Sequence, residues 1–322
     1  MADRTIRRIV VPVSGGAEVL RLETGPSPVA GLGEALVAID AAGVAYADVM
    51  MREGRYGGGP TPPFTPGYDL VGRILALGPG VQGFTVGQRV AAMPRFGAYA
   101  ERIALPASEL VPVPPAAGDA DAVAVVLNYT TAYQLLHRVA AVRPNETVLL
   151  YSAAGGVGTA VLELCALHGV RVVGLASNAK LPLVRRLGAD AVDYRVTDVV
   201  SAVREVAPDG VDAVLNPVGG RTLADACRLL KPEGRIVSFG NLSQEPPPQD
   251  LPVTPTWYSI GARKAEHREE WRQDLETLLQ LLAEGRLHPV IAAELRLAAA
   301  GEAQRRLEAG DLQGKLVLRP QA

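Results

Sequence analysis

Two textures divide the chain. Up to about residue 125, apolar residues come in short runs such as "RRIVVPV", "EALVAIDAAGV" and "DLVGRILALG", separated by Gly and Pro clusters. That pattern predicts short strands joined by turns. The stretch "GGGPTPPFTPG" holds four prolines. Proline fixes φ and lacks an N–H, so the stretch is neither helix nor central strand. From 126 to about 265 the pattern changes. Four apolar runs, "TVLLYSA", "RVVGLAS", "DAVLNPV" and "RIVSFG", alternate with helical patterns such as "GTAVLELCALHG" and "RTLADACRLLK". Strand–helix alternation at this spacing predicts a parallel sheet flanked by helices. The segment "SQEPPPQDLPVTPT" reads as a proline-rich loop. A helix is expected from about Glu269 to Glu284, with leucines and Trp271 on one face. The tail "GKLVLRP" reads as a last strand. It is expected to pair back into the first region, because a lone strand would leave its backbone groups unsatisfied.

Composition narrows the class. The 322 residues exceed what one hydrophobic core usually serves, so two domains are expected. Hydrophobic residues make up 48% and charged residues 20%, as in ordinary globular proteins. Net charge is −2 with both signs interspersed, which argues against a nucleic-acid partner and against an anionic membrane surface. The N-terminus "MADRTIRRIV" is charged and does not read as a secretory signal. No run reaches the roughly 20 apolar residues of a membrane span. The two cysteines, Cys165 and Cys227, fall in alanine-rich helical stretches and read as small buried apolar residues. A reducing, cytoplasmic compartment is the expectation.

The strongest chemical signal is "VLLYSAAGGVGTA", residues 148 to 160. Glycine at this density weakens a strand or a helix, so bare backbone must be needed there. The core of the stretch is Ala153, Ala154, Gly155, Gly156, Val157 and Gly158. It fits G-x-G-x-x-G with alanine in first place, at a strand-to-helix junction. The middle glycine lets a pyrophosphate approach the backbone, and the last lets helix and strand pack closely. The helix N-terminus offers free N–H groups and a positive dipole. The plain alternative is a tight turn without a ligand. Units that bind NAD usually carry an acid about 20 residues on, for the ribose hydroxyls. Here no acid stands between Glu163 and Asp190, while Ser177, Asn178, Lys180, Arg185 and Arg186 do. A missing carboxylate beside a cation suits the 2′-phosphate of NADPH, with Ser177 and Lys180 touching it. Arg185 and Arg186 read as solvated.

The chain resembles the medium-chain dehydrogenase/reductases, in their zinc-free quinone oxidoreductase and enoyl reductase-like branch. The resemblance rests on "AGVAYADVMMREGRY", "PFTPGYDLVG", "GQRVAA", "GAYAER", "NYTTAYQLLHR", "AAGGVG" and "GADAVDYR", in the family's order and spacing. It implies an α/β architecture: a GroES-like β-barrel domain over residues 1–125, completed by about 266–322, around a Rossmann domain over 126–265. The family's active site is the cleft between the two, and its members are often homodimers. That suggests pairing through the sheet edge near "RIVSFGNL", unless the proline-rich segment after it covers that edge. Zinc members carry an early cysteine, a Gly-His-Glu and a later cysteine ligand. This chain has Val44 and Ala45 in the first region and Gly67-Tyr68-Asp69 in the second. Its four histidines, 137, 168, 267 and 288, show no metal-ligand spacing. No metal is expected.

Hydride transfer without a metal favours acceptors that spread the developing charge, such as a quinone or an α,β-unsaturated carbonyl. Tyr46 in "GVAYADVM" is similar to the tyrosine of polyketide-synthase enoyl reductases, a proposed proton donor to the α-carbon. A tyrosine can donate at neutral pH without tuning. The alternative is a core aromatic. Many relatives have Asn where Ala45 stands. Asp48 reads as a structural hydrogen-bonding acid. By the same resemblance Asn128 and Thr131 face the nicotinamide and Tyr194 lies near the adenine. The alternative for the first two is the start of a helix with Asn as its cap. The leading expectation is a zinc-independent NADPH-dependent reductase of a small-molecule quinone or enone. A tailoring enoyl reductase of a polyketide-type pathway is the enzymatic alternative. A nucleotide-binding protein without turnover is the alternative of another class.

Overall fold

A computed structural model describes residues 5–195 and 198–322. The chain forms two compact units, Met1–Leu127 with Leu275–Ala322, and Asn128–Asp274.

In the first unit the eleven-residue strand Glu34–Val44 organises the sheet. It pairs along its length with Leu70–Leu77, at its Glu34 end with Arg102–Pro106, and at its Val44 end with Lys315–Arg319. Register shifts at Leu36/Val37 and Ile39/Ala41 mark bulges, which bend a strand. A long bent strand that changes partner along its length curls a sheet towards a barrel. Arg89–Ala92 and Val111–Pro112 extend the sheet on one side, and Ile291–Arg296 on the other. Lys315–Arg319 thus pairs back into the first region, as its unsatisfied backbone required. The core holds Val37, Ile39, Leu70, Ile74, Tyr99, Leu316 and Leu318. The proline-rich stretch after Gly59 contains no strand, only an isolated bridge from Phe64 to Val11.

The second unit is a six-stranded parallel sheet. Its strands are Thr147–Leu150, Arg171–Ala176, Asp190–Asp193, Val211–Asn216, Leu230–Ser238 and Thr256–Trp257. Numbered along the chain within the unit, their order is 3-2-1-4-5-6. This is the doubly wound order of dinucleotide-binding sheets, and its direction reverses beside the first strand. Ligands bind such sheets outside the carboxyl ends of the strands at that switch point. Helices Gly156–Leu167, Leu181–Arg186, Val199–Val206 and Thr222–Leu229 fill the crossovers. The core is built from Leu149, Val173, Leu175, Val192, Val203, Val214 and Ile236.

Three features depart from the sequence reading. Residues 119–139 are helical throughout: Asp119–Ala124, a π-turn segment Val125–Tyr129, Thr130–Tyr133, and a second π-turn segment Gln134–Val139. The strand texture therefore ends before 119, and Asn128 lies inside the run rather than capping it. The sheet has two strands more than the apolar runs suggested, because Asp190–Asp193 and Thr256–Trp257 are too short to show a pattern. Finally, the strand holding "RIVS" is not the sheet edge. Thr256 and Trp257 pair in parallel with Val237 and Ser238, immediately after the last proline of the loop. Among the described residues no helix is long and apolar enough to cross a membrane.

Candidate functional site

The glycine loop lies where the sequence put it, between the first strand of the parallel sheet and helix Gly156–Leu167. Gly155 is the N-cap and supplies no side-chain bond. The Thr159 N–H donates to the Gly155 carbonyl at 2.8 Å, so the N–H groups of Gly156, Val157 and Gly158 have no partner within the helix. Their dipoles and the helix axis together favour an anion. The turn itself falls on Ser152, whose φ of 56° lies in the left-handed region. Ala153 and Ala154 are buried beneath it. Alanine fits in first place because Gly174, on the neighbouring strand, leaves room for the Ala153 methyl. Gly158 admits no substitute. A Cβ there would press on the Ser152 carbonyl oxygen and stand 2.6 Å from that of Ala153.

Two further groups gather at the carboxyl ends of the neighbouring strands. Ser177 follows Ala176 and is buried, with no cap bond from its side chain. Ala176 pairs in register with Asp193, and the Tyr194 N–H donates to the Ala176 carbonyl, so Tyr194 adjoins Ser177. Lys180, half-buried, closes the turn after Ser177 with its N–H on the Ser177 carbonyl at 2.8 Å. Arg185 and Arg186 are exposed. Sequence reasoning missed Arg195, whose guanidinium lies 5.8 Å from the Tyr194 ring centre. Its signal was present in "GADAVDYR".

Asn128 is buried and packs on Gly156: a Cβ at that glycine would collide with its amide nitrogen. Its neighbour Tyr129 is engaged elsewhere, donating from its hydroxyl to Glu163. Thr131 is buried. Tyr258 donates to Gln134 Oε1 at 2.8 Å, and Gln134 Nε2 donates to Asp274 at 2.9 Å. Burial pushes the Tyr258 phenol up. Tyr258 and Gln134 carried no motif and were not foreseen. Asn128 lies within the first π-turn segment and Thr131 between the two, and such irregular turns recur at functional sites. Between the ends of the fourth and fifth strands a cavity of about 240 Å³ is lined by Gly219, Gly220, Gly240, Asn241 and Trp257 among others.

In the first unit Tyr46 opens the helix Tyr46–Arg52 and is half-buried. Asp48, fully buried, secures that helix. Its carboxylate accepts from the Ala45 N–H at 2.9 Å, the Gly67 N–H at 3.0 Å and the Tyr99 hydroxyl at 3.1 Å. Burial pushes its carboxyl up to about 7 against the pull of the backbone donors. With every partner structural, Asp48 holds the fold around Tyr46. Tyr56 and Tyr68 share a hydroxyl–hydroxyl bond of 3.0 Å. Asp69 is paired with Lys315 at 2.9 Å, both buried, so its charge is spent on an ammonium. Across the Gly67-Tyr68-Asp69 region, then, neither a free carboxylate nor an imidazole is offered. Among the described residues no three His, Cys, Asp or Glu side chains converge as a metal-binding group. His137 and His168, distant in sequence, do meet, with ring centres 4.8 Å apart.

Comparison with known proteins agrees with this architecture. Residues 31–115 match the family model of the alcohol dehydrogenase GroES-like domain, and residues 187–318 match that of the zinc-binding dehydrogenases. The synaptic vesicle membrane protein VAT-1 homolog of Rattus norvegicus is 34% identical over 87% of this chain and 68% of its own. The phthioceranic/hydroxyphthioceranic acid synthase of Mycobacterium bovis is 31% identical over 97% of this chain, which spans 15% of that much longer protein. The structure of Escherichia coli quinone oxidoreductase complexed with NADPH superposes with a TM-score of 0.90 at 27% identity, over 98% of this chain and all of the other. With family models matching residues of both units, a relative 34% identical over 87% of the chain and a doubly wound sheet in the second unit, the chain belongs to the medium-chain dehydrogenase/reductase superfamily, in its quinone oxidoreductase-like branch.

Proposed function

We propose that this oxidoreductase is a zinc-independent, NADPH-dependent reductase of a conjugated acceptor, a quinone or an α,β-unsaturated carbonyl. The observation that carries the reading is the donor set of the first unit. Ala45, Tyr68 and the Lys315-paired Asp69 offer no metal ligand, while Tyr46 offers an O–H. An enolate or a quinol oxygen spreads its charge and can be met by hydrogen-bond donors alone.

The chain's own residues fit NADPH. Gly156, Val157 and Gly158 would turn free N–H groups to the pyrophosphate, with Gly158 keeping helix and strand close. Ser177 and Lys180, joined by Arg195, would take the 2′-phosphate, and Tyr194 would cover the adenine side. Asn128, set against Gly156, and Thr131 would face the nicotinamide. When bound, NADPH supplies the hydride. Tyr46 then gives its proton to the α-carbon of an enone. The relation to E. coli quinone oxidoreductase, solved with NADPH, supports the cofactor. The stretch shared with the phthioceranic/hydroxyphthioceranic acid synthase favours a second reading, reduction of an enoyl thioester of polyketide type.

The test is NADPH oxidation at 340 nm over a panel of quinones, free enones and enoyl thioesters. Turnover of any of these after treatment with a chelator supports the reading. Tight NADPH binding with no turnover across the panel would leave a nucleotide-binding protein. Fluorescence titration should show NADPH bound more tightly than NADH, and Lys180→Ala should narrow that gap about tenfold, the scale of one charge-assisted hydrogen bond. Equal affinities in the unaltered protein would refute the preference.

A further inference from the structure

Tyr68 is 1% exposed, and among the described residues its hydroxyl has that of the half-buried Tyr56 as hydrogen-bond partner, at 3.0 Å. The ring centres lie 6.3 Å apart with the planes at 71°, an edge-to-face pair. The guanidinium carbon of Arg95 lies 5.7 Å from the centre of the Tyr56 ring. Arg95 is held in turn: its N–H donates to the Tyr68 carbonyl at 3.2 Å and its Nη2 to the Gly58 carbonyl at 3.3 Å. Its φ of 76° lies in the left-handed region, uncommon for a residue other than glycine and found more often at functional sites. Asp48 ties this cluster to Tyr46. One of its oxygens accepts from the Ala45 N–H and the other from the Gly67 N–H, so Tyr46 and Tyr68 each follow a residue held by the same carboxylate.

Either phenol of the pair can donate, and burial decides which does. Tyr68 lies out of reach of solvent, where an O–H left without an acceptor is costly, so its proton goes to the Tyr56 oxygen. Burial also pushes the Tyr68 phenol up, so it keeps that proton. Tyr56, accepting on that side, has its own O–H left to donate outward from a half-buried position. The bond received from Tyr68 polarises this O–H and makes it a stronger donor. We propose that Tyr56 donates to the carbonyl oxygen of the acceptor and that Tyr68 is its positioning residue. The inference rests on the reading of the protein as a reductase of a conjugated acceptor, with NADPH as the reductant. As hydride reaches the β-carbon, the carbon–carbon π pair shifts towards the carbonyl and the carbonyl π pair ends on oxygen. The Tyr56 O–H meets that charge without breaking. The proton for the α-carbon is the task of Tyr46. A quinone oxygen gains charge in the same way, so both classes of acceptor use this donor.

Tyr56→Phe, Tyr68→Phe and the double variant are compared with the unaltered protein on an α-methyl enone and on a benzoquinone. Thermal melting and NADPH titration confirm that each is folded. Tyr56→Phe should lower kcat about 100-fold on both acceptors, the scale of one donor to a developing oxyanion, and leave the configuration at the α-carbon intact. Loss on both acceptors with stereochemistry kept separates this role from that of Tyr46. Tyr68→Phe should lower kcat about tenfold with little change in KM, and should add nothing on top of Tyr56→Phe, because it acts through that hydroxyl. A readout without turnover is the infrared carbonyl stretch of the enone bound in the presence of NADP⁺, which has no hydride to give. The stretch should rise in frequency in Tyr56→Phe, where the hydrogen bond is gone, and rise less in Tyr68→Phe. A stretch unmoved by Tyr56→Phe would overturn the inference, as would an undiminished Tyr56→Phe rate or a Tyr68→Phe loss that persists in full in the double variant. If the unaltered protein reduces no conjugated acceptor, the functional reading itself fails, and the inference with it.

Discussion

Removing one oxygen atom from Tyr46 separates two chemistries. An enone accepts hydride at its β-carbon and must then gain a proton at the α-carbon. A quinone needs no proton on carbon. Tyr46→Phe should therefore slow enone reduction by about 10²- to 10⁴-fold, the usual worth of a positioned acid, less whatever water restores. It should also scramble or invert the configuration at an α-methyl group. Quinone reduction should suffer much less. Equal losses on both acceptors would mean that Tyr46 packs or positions. At this scale the sequence was informative about residue type and silent about partners. Tyr46 could be singled out from its neighbours in "GVAYADVM", but its half-buried seat at the start of a short helix, secured by Asp48, could not. The Asp69–Lys315 pair joins residues 246 positions apart, and nothing local marks it.

Each glycine of the loop does a different job, and a methyl group tells them apart. At Gly158 the added Cβ meets two backbone carbonyls that cannot swing away. Gly158→Ala should cost about 1–3 kcal/mol of stability through overpacking, and should weaken nucleotide binding as the helix is pushed off the strand. At Gly156 the added Cβ meets the Asn128 amide, which can rotate. Gly156→Ala should keep the melting temperature and lose nucleotide affinity; denaturation curves and fluorescence titration of both variants decide it. Elements with a strong local pattern were legible in the sequence. The strands Thr147–Leu150, Arg171–Ala176, Val211–Asn216 and Leu230–Ser238 all lie within or across apolar runs. The helix Arg268–Ala283 shows its apolar face. What stayed hidden has physical reasons. Strands of two and four residues are fixed by their neighbours in the sheet, and no period can show in them. The helical run over 119–139 is rich in valine and alanine, which suits strand as well as helix.

For the whole molecule, we propose a homodimer. The parallel sheet ends in the two-residue strand Thr256–Trp257, and Trp257 is 62% exposed there. An edge strand presents unpaired N–H and C=O groups to a second copy, and the exposed Trp257 ring beside it adds apolar surface to bury. Light scattering should give twice the chain mass at micromolar concentration, and Trp257→Lys should shift it to the monomer. A monomer in the unaltered protein would refute the proposal. Neither the partner surface nor the acceptor was legible in the sequence, since specificity resides in loops whose positions the fold sets.

Isotope tracing would follow the proposed metal-free delivery of hydride to the β-carbon of a conjugated acceptor atom by atom. Chelator-treated protein would be supplied with NADPH deuterated at the transferring position and with an α-methyl enone. The product would be read by nuclear magnetic resonance. One deuterium is expected at the β-carbon, with a solvent proton at the α-carbon in a single configuration and stoichiometric zinc absent by elemental analysis. Deuterium on the carbonyl carbon, or turnover that ends on chelation and returns with zinc, would contradict it.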